Sequence, residues 1–225
     1  MGPAYGQSWG ERRQELVARN GFPHYGANAV LAFNPGGIGA CGIAVRASAE
    51  VRYRVALIAP TWRRYGHLIA AAARKHGVPA ELILAAIVEE SGGRAHSVTR
   101  YSGYVSDAAT PHKVSLGLGQ MLLATAQRIA PDQRVGRASL LDPATAIDLV
   151  ARYFARFYPA TGFDPALAGS SYNAGSVRSL RAGQHWTPPN ARYVQRFVAV
   201  FNASVAHLSA RPNIPPESYA ALFRR

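Results

Sequence analysis

Glu89 and Glu90 close an apolar run, Leu82-Ile83-Leu84-Ala85-Ala86-Ile87-Val88, and are followed by Ser91, Gly92 and Gly93. A helix through this run carries the acidic pair to its C-terminal end. There a carboxylate meets the negative end of the helix dipole and sits over apolar neighbours. Both influences disfavour the ionised form and raise the pKa, the condition under which a carboxyl group serves as a general acid near neutral pH. One residue step turns a side chain by about 100° round the helix, so only one of the two can face a cleft squarely.

Other chemistries lack their residues. Histidines 24, 67, 76, 96, 112, 185 and 207 are scattered and none sits in an HExxH-like setting, so no metal site is expected. Neither Ser91 nor Ser171 lies in a G-x-S-x-G elbow. Gly36-Gly37-Ile38-Gly39 has no lysine after it, which removes a phosphate-cradling loop. Cys41 is the only cysteine, so no intramolecular disulfide can form, and a small buried hydrophobe is expected there. No cofactor is implied.

The elements that must position these groups read mainly as helix. Residues 1–60 form an extension of uncertain structure, with a short helix expected over Trp9 to Ala18 and irregular chain from Gly21 to Gly42. Ala44 to Ile58 alternates like a strand at Val51, Tyr53 and Val55, yet its alanines permit helix. Residues 61–225 form the main domain. Its helices are expected over Trp62 to His76, Pro79 to about Glu90, Leu122 to Ile129, Asp142 onward, Pro165 to Gly175 and Asn190 to His207. Asp142 caps and Pro143 opens the fourth of these, which carries Ile147, Val150, Tyr153, Phe154 and Phe157 on one face. Gly92 to Pro111 reads as a long loop, and the tail after Pro212 as a segment packed across the surface.

Four separated pieces resemble the catalytic domain of SLT-type lytic transglycosylases, which have the lysozyme-like fold. They are Ala86 to Ser91, Gly117-Leu118-Gly119-Gln120-Met121 with Thr125-Ala126, Ser171-Tyr172-Asn173-Ala174-Gly175, and Arg192-Tyr193-Val194. Their order and spacing over residues 66–205 carry the resemblance. Three features depart from the pattern. Gly92-Gly93-Arg94 stand where the family has an aromatic two or three residues after the Glu-Ser pair. Gly119 stands where the family has methionine, which removes a side chain from the groove. The 27 positions from Glu90 to Gly117 exceed the family spacing, and the extra residues, around Tyr101 to Lys113, are expected beside the cleft.

The resemblance implies a mainly α, α+β lysozyme-like fold and cleavage of peptidoglycan glycan strands. In that family one glutamic acid protonates the oxygen between MurNAc and GlcNAc, then takes the proton of the MurNAc 6-hydroxyl as it closes a 1,6-anhydro ring. The serine after it favours Glu90 for this role and leaves Glu89 in solvent. Tyr193 would hydrogen-bond Glu90, and Ser91 would either support the reacting centre or cap the helix end. Gln120 and Asn173 can offer donors and acceptors to N-acetyl and hydroxyl groups. Tyr172 would wall the groove, with Leu118 and Met121 beside it, while Gly117 and Gly119 permit close backbone approach. Asp107, in the extra loop, is the candidate second carboxylate. Facing Glu90, it would activate a water and make the enzyme a hydrolytic muramidase; otherwise it is a surface aspartate.

Composition bounds the partners. The 225 residues are 48% hydrophobic and 16% charged, enough for a packed core and too little charge for charge-driven disorder. The net charge of +13 is spread along the chain and suits an anionic cell-wall or membrane surface. Nucleic acid is the rival, prompted by Arg152-Tyr153-Phe154-Ala155-Arg156-Phe157, but helical spacing would bury those rings, and no specific nucleic acid is expected. A sugar-binding domain without catalysis is the other alternative. A monomer is expected. Ala27 to Val45 is too broken by proline and glycine to span a membrane. No basic and apolar leader opens the chain, so delivery to the periplasm or wall is expected from phage release, a virion or a secretion apparatus.

Overall fold

The structure is a computed structural model and describes residues 22–25, 29–34, 37–40, 48–175 and 190–222. Strands β1 Phe22–Tyr25, β2 Ala29–Asn34 and β3 Gly37–Ala40 form an antiparallel sheet in that order. This differs from the irregular chain expected over Gly21 to Gly42. The β-prone Val30 and Phe33 lie within β2. The helix expected over Trp9 to Ala18 and the burial expected for Cys41 lie outside the described residues.

Helices α1 Ala49–Ala56, α2 Ile58–His76 and α3 Ala80–Ser91 follow. The ambiguous stretch before Ile58 is thus helical, opened by Ser48, whose Oγ accepts from the Val51 N–H at 3.2 Å. Because α2 begins at Ile58, a division at residue 60 would fall within it. Beyond α3, β4 Val98–Arg100, β5 Val114–Leu116 and β6 Met121–Leu122 make a second small antiparallel sheet. The remaining helices are α4 Leu123–Ile129, α5 Arg137–Leu141, α6 Pro143–Thr161, α7 Pro165–Ala174, α8 Ala191–Ser209 and α9 Tyr219–Leu222. The architecture is mainly α with a small sheet beside the helices, as expected of a lysozyme-like domain.

α3 is the axis of the core. Every residue from Leu82 to Val88 is fully buried, which a helix apolar all round requires. α1, α2, α6, α7 and α8 pack around it. Each of its Leu and Ile side chains removed from water contributes about 1.5–3 kcal/mol, so burial rather than helix propensity holds it. α6 begins as its sequence indicates: Asp142 Oδ2 accepts from the Thr145 N–H at 2.8 Å and Pro143 occupies the first turn. Its Ile147, Val150, Tyr153 and Phe154 are buried. Of the aromatics of the nucleic-acid rival, Tyr153 and Phe154 are therefore core residues and Phe157 is half-buried against them, and Arg152 is bound to Asp132.

The C-terminal segment enters the core instead of crossing the surface. Tyr219 is buried and its hydroxyl donates to the Phe163 carbonyl. Glu81, fully buried in the first turn of α3, accepts from Ser218 Oγ and from the N–H groups of Tyr219 and Ala220, the latter two at 3.1 and 3.0 Å. The Ala80 N–H donates to the Glu217 carbonyl at 2.8 Å. Burial pushes the Glu81 carboxyl up, its donors from Ser218, Tyr219 and Ala220 oppose that rise, and the same bonds tie the tail to α3. Among the described residues no helix is long and apolar enough to cross a membrane. No three of their His, Cys, Asp and Glu side chains gather as a metal site.

Candidate active site

α3 ends abruptly, with Gly92 at φ 62° and Gly93 at φ 79°. The Gly92 N–H donates to the Val88 carbonyl at 3.1 Å and the Gly93 N–H to that of Ile87 at 3.4 Å, a closure that left-handed glycines permit. This end delivers Glu90, half-buried, into a cavity of about 400 Å³. The cavity is walled by the second sheet and its flanking loop on one side and by α6 and α7 on the other. Tyr101, His112, Lys113, Ser115, Gln120, Met121, Leu122, Thr125, Tyr153, Tyr172, Asn173, Ala174 and Gly175 complete the described lining. Among these residues the one carboxyl group is that of Glu90.

Burial lifts the Glu90 carboxyl from 4.5 to about 7. Tyr193 opposes the rise by donating its hydroxyl to Glu90 Oε1 at 2.6 Å, which favours the ionised form. The charge of Glu89 adds to the rise, and the guanidinium groups of Arg54 and Arg196 counter it. A carboxyl poised near neutrality can give a proton to a leaving oxygen and then accept one.

The polar groups anticipated around Glu90 meet it in differing ways. Tyr193 comes from α8, buried, with its ring stacked on Phe197 at 6.0 Å. Tyr172 stacks on Phe154 at 5.3 Å and donates its hydroxyl to the Gly119 carbonyl at 2.7 Å. That approach needs Gly119, because a Cβ there would lie 2.6 Å from the Tyr172 hydroxyl and 2.4 Å from Val150. The glycine in place of methionine thus ties the β5–β6 turn to α7. Asn173 lines the cavity, exposed, and its Oδ1 accepts from Asn190 Nδ2 at 2.8 Å.

Gln120 is held by its own turn. Its Nε2 donates to the carbonyls of Ser97 and Gly117, both at 3.0 Å, and its Oε1 accepts from Thr99 at 2.7 Å. These three bonds support a non-glycine φ of 41°, a backbone conformation that persists only where neighbours enforce it. Met121 contributes to the wall, whereas Leu118 is fully buried below it. Ser91 is buried with its hydroxyl donating to the Ile87 carbonyl at 3.1 Å, which serves the helix end.

The two other candidate acids are each held by arginine. Asp107 lies outside the described cavity lining. Arg137 grips both its oxygens, at 2.8 and 2.7 Å, the Tyr104 hydroxyl adds a bond at 2.8 Å, and the arginine holds its carboxyl below the usual range. Glu89 is not in solvent. Its side chain is 1% exposed, between Arg54 of α1 and Arg196 of α8. Neither arginine is near it in sequence, so no local pattern could have revealed the pairing. Lys113 and His112 are cavity residues that the motifs do not name, although the unusual spacing from Glu90 to Gly117 marked their loop.

Compared with the curated proteins, the chain matches none. A family model described as Transglycosylase SLT domain matches residues 67–190. The match covers α3, the second sheet, α6, α7 and the cavity between them, and leaves Tyr193 just beyond its end. The chain belongs to the SLT transglycosylase family.

Proposed function

We propose that this protein is a peptidoglycan lytic transglycosylase that cuts the β-1,4 bond between MurNAc and GlcNAc with Glu90 as its single acid and base. The observation that carries the reading is a half-buried carboxyl raised to about 7 in the cavity, with no second acid among the described lining residues. Protonated Glu90 gives its proton to the glycosidic oxygen as the C1–O bond breaks. The resulting carboxylate takes the proton of the MurNAc 6-hydroxyl as that oxygen bonds to C1. No water is consumed, and the acid is regenerated. Tyr193 holds the carboxyl in register, and Asn173 and Tyr172 offer contacts to the sugar. The grip of Arg137 on Asp107 speaks against a water-activating second carboxylate. The site of action is the periplasm or cell wall, with the positive charge favouring an anionic wall or membrane.

Digestion of purified peptidoglycan, with products weighed by mass spectrometry, tests the reaction. Anhydro-muropeptides support it, products heavier by one water would make the protein a muramidase, and no products from folded protein would move the weight to a binding role.

Tyr193→Phe should lower kcat by about tenfold, since hydrogen bonds to charged groups are worth about 1.5–3 kcal/mol. Activity needs protonated Glu90 and so declines as pH rises through about 7. Loss of the phenol removes a donor that favours the ionised form, so this decline moves to higher pH. A pH–rate profile reads both effects, and an unmoved profile would contradict the role.

Lys113→Met should raise KM by about threefold with kcat unchanged, because an exposed ion pair contributes up to about 1 kcal/mol. Glycan strands bear lactyl or peptide carboxylates, and Lys113 is a cation on the cavity wall. The KM of the variant should also depend less on salt than that of the parent.

A further inference from the structure

We propose that Glu89 is a positioning residue for Glu90: held by Arg54 and Arg196, it fixes the end of α3 and makes α1 part of the catalytic unit. The inference rests on the reading of Glu90 as the acid and base. α1 precedes the segment matched by the family, and α8 follows it.

The geometry is specific. Glu89 Oε1 lies 2.7 Å from Arg196 Nε and Oε2 lies 3.1 Å from Arg54 Nε. Arg54 also donates from NH1 to the backbone carbonyl of Glu89 at 2.8 Å. That carbonyl sits in the last turn of α3. Its ordinary helical partner, the Gly93 N–H, turns instead to Ile87, so the guanidinium supplies the missing donor. One arginine therefore binds the backbone and the side chain of the residue next to Glu90. Glu50 completes the group, 3.2 Å from Arg54 and 3.4 Å from Arg196, and two acids balance two bases.

Such a group adds little net stability, since buried ion pairs give back most of their attraction in lost hydration. What it supplies is a fixed helix end and a fixed field. A step of about 100° separates the two glutamates on the helix. With Glu89 locked toward α1 and α8, Glu90 is directed into the cavity. The groups that bear on Glu90 are Arg54 of α1, Glu89 of α3, Tyr172 of α7, and Tyr193 and Arg196 of α8, with His112 and Lys113 on the cavity wall. Removing the charge of Glu89 leaves the two arginines unbalanced, which favours ionised Glu90. Removing Arg54 does the reverse.

The test uses the full chain with Glu89→Gln, Arg54→Met and Glu90→Gln, each checked for folding by circular dichroism. Initial rates of glycan release are followed across pH. Glu89→Gln should lower kcat by about tenfold with KM within twofold, the effect expected when a reacting group is misplaced. Its decline in activity should move to lower pH, and that of Arg54→Met to higher pH. A merely structural pair would change the melting temperature and move neither limb. Should Glu89→Gln not fold, Arg54→Met carries the test, because Arg54 lies on the outer helix and is partly exposed. Wild-type kcat and unmoved limbs in the folded variants would overturn the proposal. If Glu90→Gln is inactive in that case, this inference alone falls; if Glu90→Gln stays active, the reading of Glu90 falls first.

Discussion

Replacing Glu90 by Gln should give a folded protein whose rate of glycan cleavage is about 100- to 10,000-fold lower, the usual contribution of general acid–base catalysis. Gln keeps the oxygen that accepts from Tyr193 but can neither give the proton nor take it back. The same substitution should stabilise the fold. Burial holds the folded carboxyl at about 7 against 4.5 in the free group. Its contribution to stability is therefore fully present below pH 4.5 and is lost as pH rises through about 7. Gln has no such ionisation. At pH 8 the variant should unfold about 1–3 kcal/mol later than the parent, and the gap should close near pH 4, given about 1.4 kcal/mol per pKa unit. Thermal unfolding at the two pH values measures this. A variant less stable than the parent at pH 8 would mean that Glu90 is not held neutral by its surroundings.

Gly117→Ala should cost the fold about 3 kcal/mol or more, as overpacking and backbone strain add together. Gly117 has φ 72°, and a Cβ there would lie 1.7 Å from the Leu140 carbonyl oxygen and 2.9 Å from its carbon. Both obstacles are backbone, so no side-chain rotation relieves them. The turn would have to move, and with it the bonds from Gly117 N–H to Ser97 at 2.8 Å and from Gln120 to the Gly117 carbonyl. Gln120 and Met121 would leave the cavity wall, so kcat/KM should fall along with stability. Gly103→Ala is the control. It shares a positive φ of 81° but meets nothing within 4 Å, so it isolates backbone strain at about 1–2 kcal/mol. For a chain of this size the two should differ in melting temperature by several degrees, at about 2–4 °C per kcal/mol. Equal losses in calorimetry would show that the Leu140 contact is not what matters.

Much of the frame was legible because it rests on local rules. The run from Leu82 to Val88 is apolar on every side, so a helix there has to be central. Asp142 and Pro143 announce the start of α6 through capping and a preset φ, and the spacing of Ile147, Val150, Tyr153 and Phe154 defines its buried face. The direction of the Glu90 shift was legible from an apolar helix ending in acids before two glycines, although the burial that produces it comes from the elements packed around that end.

Local chemistry therefore accounts for the central helix, the acidic pair at its end and the order of the pieces around the cleft. Packing alone shows which acid faces the cavity and which are held by arginine. Glu89 looks like a solvated neighbour until Arg54, from a stretch whose pattern allowed strand or helix, packs against it with Arg196. Asp107, open in the sequence as a second carboxylate or a surface aspartate, is gripped by Arg137 on both its oxygens. Glu81 and Tyr219 show the same limit, since a surface tail became core once a buried carboxylate received its N–H groups. Periodicity and capping act within a few residues and can be read along the chain. Charge pairing and desolvation depend on which distant segment arrives, and that is known only when the helices have packed.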